Sequence, residues 1–152
     1  MRQIRFNGWA NDRVVARAVT VLPENPVFGE SFGVLADELL HLLQAQQHWL
    51  AVWRREPGRE RKDPTTAELV TAFAESQAEL EQWMNGLDDA ALGATFTRTG
   101  RSQSITAPLG DLIAHLVTHQ NFHRGEIALL LTNAGASTGD IDYYDFILED
   151  GG

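Results

Sequence analysis

The chain contains no cysteine. Disulfides, thiolate zinc sites and cysteine nucleophiles are therefore excluded, and any thiol chemistry needs a thiol brought by another molecule. Long apolar runs are missing too. No stretch reaches the roughly 20 apolar residues that span a bilayer, and the N-terminal segment from Met1 to Trp9 has no extended apolar region. The expected location is the cytoplasm. Positive charge is scarce: 12 Lys and Arg against 21 Asp and Glu give a formal net charge of −9. An acidic chain without a basic stripe is a poor nucleic-acid binder, because phosphate neutralisation supplies most non-specific affinity. The run Arg54, Arg55, Arg59, Arg61 and Lys62 is broken by Glu56, Pro57 and Gly58 and reads as a solvated loop. Internal repeats, low-complexity runs and linkers are absent as well. The 152 residues fit one domain, long enough to bury a core without covalent staples.

What is present is helical periodicity. A first helix is predicted from about Trp9 to Val21, stopping before Pro23. A second starts near Ser31 and runs to about Arg55, with Leu35, Leu39, Leu42, Gln46, Trp49 and Trp53 on one stripe. Trp49 and Trp53 are most simply core aromatics. A third follows Asp63-Pro-Thr-Thr66, carries Leu69, Phe73, Leu80 and Met84 on one face, and ends near Asn85-Gly86. The Thr- and Ser-rich segment 94–106, with a glycine in its middle, predicts a short hairpin. A fourth long helix begins near Pro108 and ends around Asn133, with Gly135 as the C-cap glycine. A short fifth helix falls within Asp140 to Glu149.

Three of the five histidines, His115, His119 and His123, stand four residues apart in that fourth long helix. Residues at i and i+4 lie one above the other on a helix, so neighbouring rings can address one ion. Leu109, Leu112, Leu116, His119, His123, Glu126 and Leu130 form a stripe with alternating steps of three and four. On this reading His119 and His123 replace core leucines, and His115 lies about 100° away. An unpaired ring buried in a bundle costs about 1–3 kcal/mol, so two in succession ask for a metal or a hydrogen-bond network. The bland alternative is a chance HxxxH pair, which is common. Helix two offers His41, among leucines, and His48, among glutamines and therefore more solvated. A site of His41, His119 and His123 leaves about one to three coordination positions open, the pattern of catalytic rather than structural metal sites. The three rings are expected to converge.

The chain resembles the DinB/YfiT-like metalloenzyme family over nearly its full length. The resemblance rests on Asn7-Gly-Trp-Ala-Asn11, Leu22-Pro23, Ser31-Phe-Gly-Val-Leu35, the segment His41 to Leu50, and above all His115 to Ile127, followed by Asn133-Ala-Gly135 and Asp140. It implies an all-α, four-helix bundle of up-down-down-up type. It also implies a divalent metal, nickel or zinc in the first instance, held by His41, His119 and His123. Several characterised relatives are thiol-dependent transferases or isomerases that use a thiol such as bacillithiol, mycothiol or glutathione, many members have no known substrate, and dimers are common among them. Two positions depart from the family's usual pattern: Glu126 stands where a glutamine is frequent, and Val52 where an arginine often follows the tryptophan-leucine pair. The second puts any anion-binding role at Val52 in doubt.

The expected chemistry is metal-assisted activation of an external thiol or of water, with a small-molecule electrophile and no nucleic-acid or membrane partner. His115 and Glu126 are candidates to orient ligand rings or shuttle protons, and His115 is equally readable as a surface residue. Arg124 is read as a contact for an anionic group or, more simply, as a salt-bridge partner of a nearby acid. Gly125 is read as the mark of a close helix crossing or, less simply, of a ligand's approach. Glu38-Leu-Leu-His41 has the Glu-x-x-His spacing of carboxylate-bridged di-iron bundles, but those need two copies and two further glutamates. A third reading is a non-catalytic metal-binding or stress-response bundle.

Overall fold

The computed structural model describes residues 2–24, 34–57, 63–99 and 104–151. In chain order the elements are α1 (Arg2–Ala18), α2 (Leu35–Trp53), α3 (Thr66–Met84), α4 (Asp89–Gly93), β1 (Thr95–Thr99), β2 (Ser104–Pro108), α5 (Leu109–Asn133) and α6 (Tyr143–Glu149). Helix boundaries follow local chemistry. Thr65 and Glu68 form a reciprocal capping box at the start of α3. Asp88 and Asp142 accept backbone N–H groups at the starts of α4 and α6. Gly135, just past α5, takes the left-handed conformation (φ 76°) that glycine adopts without steric cost.

Two elements differ from expectation. α1 begins at Arg2 and not near Trp9, because Ile4, Asn7, Ala10, Asn11, Val14 and Ala18 bury one continuous face. Gly8 does not break it. A Cβ there would sit 2.6 Å from Gln77, so the glycine lets α1 and α3 approach closely. The one-turn helix α4 was not foreseen. The Ser31 start assigned to the second helix, Arg59, Arg61 and Lys62 of the basic run, and the glycine at the hairpin turn lie outside the described residues. The hairpin itself is antiparallel, with Phe96 opposite Ala107 and Arg98 opposite Ile105.

The four long helices pack in a ring, α1 against α3 and α5, and α2 against α3 and α5. Residue contacts give the directions. Glu38 meets His123 and Trp49 meets His115, so α2 and α5 are antiparallel. Asn7 and Asn11 meet Gln120 and Arg124, and the cluster partners of Ile4 and Val14 lie successively further along α5, so α1 and α5 are parallel. α6 closes over α1 through Phe6, Trp9, Tyr143 and Phe146.

The interior has two apolar halves. One joins Val14, Leu39, Leu42, Phe73, Ile127 and Leu131; the other joins Ile4, Leu50, Trp53, Leu80, Leu112 and Leu116. Between them lies a buried polar layer of Asn7, Asn11, Gln46, Ser76, Gln120 and Arg124. The α5 stripe is corrected here. Its buried face runs Leu109, Leu112, Leu116, Gln120, Arg124, Ile127, Leu131, one residue beyond the expected His119, His123, Glu126, Leu130. From Leu109 to Leu131 is 131 − 109 = 22 residues in six steps, about 3.7 per turn, whereas a heptad stripe at 3.5 drifts by about 20° per seven residues on a straight helix. The drift moves the histidines from the core to its flank.

Candidate metal centre

His41 from α2 and His119 and His123 from α5 are brought together half-buried, with one ring nitrogen of each within 4.8 Å of the others. Nε2 of His41 and Nε2 of His119 face each other at 3.0 Å. Ring centroids are 4.5 Å apart for His41 and His123 and 4.6 Å for His119 and His123. The i,i+4 spacing stacks the two α5 rings on one side, and the antiparallel α2 presents His41 between them.

His123 is anchored. Its Nδ1 lies 2.8 Å from Glu38 Oε2 and 2.9 Å from Glu126 Oε2. A proton on Nδ1 donated to these carboxylates leaves Nε2 with its lone pair free, the tautomer a metal ligand requires. Glu38 is buried in the first turn of α2, whereas Glu126 is exposed. In the sequence Glu38 shares a helix face with His41 and belongs to the Glu-x-x-His spacing, and neither feature marks it as an anchor of His123. Glu38, His123 and Glu126 form a second trio with donor atoms within 4.8 Å.

Electrostatics favour the neutral form of His119 and His41. His119 is lowered from 6.5 to about 4, first by burial and then by the neighbouring His123, His41 and His115, with Glu38 opposing. His41 is lowered by burial and by His123, against Glu38 and Glu126. Neutral imidazoles are what a divalent ion needs, and two nitrogens 3.0 Å apart can both reach one ion at the usual metal–nitrogen distance of about 2.0–2.1 Å. The donor set therefore fits a divalent cation.

A groove of about 500 Å³ reaches this cluster, with His41 and His119 on its wall beside His48, Trp49, Gln44 and Arg54. His115 is exposed; its ring stacks on His119 (centroids 5.8 Å, 24°) and meets Trp49 edge-on at 5.5 Å. His48 is apart from the cluster and hydrogen-bonds to Arg98. Trp53 is buried, and Trp49 only half so.

Arg124 is neither an anion contact nor a salt-bridge partner among the described residues. It is 1 % exposed, and Nη1 donates to Asn7 Oδ1 (2.7 Å) and Asn11 Oδ1 (2.9 Å). Burial lowers its pKa to about 10. The same layer ties the histidine-bearing turns together, since Gln120, beside His119, donates to the carbonyl of Leu42, beside His41 (3.0 Å). The helix-one asparagines thus serve to receive Arg124. Gly125 marks no close crossing, because among the described residues no other element lies within 4 Å of where its Cβ would be.

A helical fold with an open, carboxylate-anchored histidine cluster defines a candidate metalloprotein. The family model described as "DinB family" matches residues 5–150, and the chain belongs to the DinB family. No curated protein and no solved structure matches it.

Proposed function

We propose that this DinB-family protein binds a divalent metal ion, nickel or zinc, through His41, His119 and His123, and uses it as an enzyme of the thiol S-transferase or isomerase type. The observation that carries the proposal is the convergence of three half-buried rings at a groove open to small molecules. When bound, the ion supplies Lewis-acid activation of a thiol at neutral pH. The chain's own groups do the rest. Glu38 accepts the Nδ1 proton of His123 and fixes that ring's direction. Glu126 offers a second acceptor at the same nitrogen from the solvent side and, with His115 stacked on His119, is placed to exchange protons with bulk water. The absence of cysteine makes the thiol an external, low-molecular-weight cosubstrate.

The proposal extends to the whole chain: one DinB-like domain over residues 1–152, a four-helix bundle of up-down-down-up type, in the cytoplasm of a bacterium, with no nucleic-acid or membrane partner. The helix directions support the topology. No helix among the described residues is long and apolar enough to cross a membrane. Phe122 and Leu129, 65 % and 63 % exposed on one face of α5, support a homodimer.

The test is metal analysis of protein purified without a His tag, followed by thiol-conjugation assays on metal-loaded wild type and His123→Ala. The variant is expected to fold and to lose both metal and activity. Thiol transfer that persists after complete metal removal rejects the mechanism. Stoichiometric metal without transfer leaves the non-catalytic metal-binding bundle as the function.

A further inference from the structure

Arg98 on β1 rests against two residues of the groove wall, Trp49 and His48. Its guanidinium lies over the Trp49 ring, 5.2 Å from the centroid, and Nη2 is 3.1 Å from His48 Nε2. Trp49 and His48 both line the groove that His41 and His119 line. The other arginines with described partners differ from it. Arg2 and Arg5 pair with Asp150, Arg13 with Glu149 and Arg54 with Glu79, while Arg124 is enclosed by amides. Arg98 is half-buried and, alone among these, is held only by neutral rings, with no carboxylate partner among the described residues. In a chain with 21 acids and 12 basic residues this is a cation left available. Two rings fix its direction while its charge stays unneutralised, so little entropy is lost when it meets an anion.

We propose that Arg98 is the anion-recognition residue of the groove, and that the groove takes a small organic monocarboxylate whose carboxylate docks on Arg98 while its other end reaches His41 and His119. The volume suits a ligand of ordinary small-molecule size. A monoanion fits better than a phosphate dianion, because Arg54 of the groove is paired with Glu79 and the groove also carries Glu56, which leaves Arg98 as the unpaired guanidinium beside it. The claim deepens the proposed function and rests on it only for the reactive end; the anion site itself needs no thiol.

The test uses the metal-loaded full chain and a matched pair of thiol-free probes, 4-phenylbutyrate and 4-phenylbutyramide, followed by the Trp49 indole N–H resonance, assigned with Trp49→Phe. The acid is expected to shift that resonance and to bind at least about tenfold more tightly than the amide, the scale of one charge-assisted contact. Arg98→Gln should abolish the difference, Arg98→Lys should keep part of it, and metal content should match wild type in both. Equal binding of acid and amide, no binding of the acid, or an Arg98→Gln protein that still prefers the acid overturns the proposal. None of these results bears on thiol transfer, which is read separately from thiol consumption.

Discussion

Gly125 sits inside α5 with open space where a side chain would go. Glycine in a helix interior costs roughly 0.5–1 kcal/mol against alanine, so Gly125→Ala should raise stability by about that amount in urea melts of the monomer. A destabilised variant would show that the position needs glycine for a contact within the monomer. His119 gives a pH prediction. Its folded pKa of about 4 lies below the ordinary 6.5, so the unfolded chain takes up the proton first as pH falls. The stabilising contribution is complete above 6.5, declines below it, and is gone as pH drops through about 4. His41 shifts in the same direction. In metal-free protein the urea midpoint of wild type should fall over this window more steeply than that of His119→Gln. Parallel curves would refute the burial account. At this scale the sequence disclosed which rings cluster. It did not disclose Glu38, because a glutamate in a helix's first turn is ordinary, and only the opposing helix makes it a histidine anchor.

The element that matters most is α5, which carries two candidate ligands on its flank and the polar layer on its core face. Heptad steps placed the histidines in the core; the straight helix placed Gln120 and Arg124 there instead. Arg124 is bonded by Asn7 and Asn11 of α1, and Gln120 by the α2 backbone, so this layer fixes α5 against both neighbours. Arg124→Met would leave two buried amide oxygens without that donor, while relieving a desolvated charge. We expect a net loss of roughly 1–3 kcal/mol in denaturant unfolding. An unchanged or raised midpoint would mean that desolvation of the cation outweighs its hydrogen bonds. The two asparagines at i and i+4 inside an apolar stripe were the legible trace of this layer. Their partner was not, since amides can bond to solvent, backbone or one another.

For the whole molecule, net charge and composition decide partners more than packing does. With −9 and no basic face in the sequence, salt-sensitive DNA affinity should be absent in titrations at physiological ionic strength. Tight binding that weakens steeply with salt would contradict this. The sequence by itself determined the helical class, the hairpin, the cap at Gly135, the lack of any thiol of the chain's own and the histidine spacing. Those properties depend on periodicity, on turn chemistry and on residue identity, all of which are local. Tertiary structure decided which α5 face is buried, that Glu38 meets His123, that Arg124 is enclosed by amides, and that Arg98 lies over Trp49. Each depends on the rotation and register of one helix or strand against another. That phase is set by packing summed over the whole core, and a shift of one residue along α5 turns the helix face by about 100°.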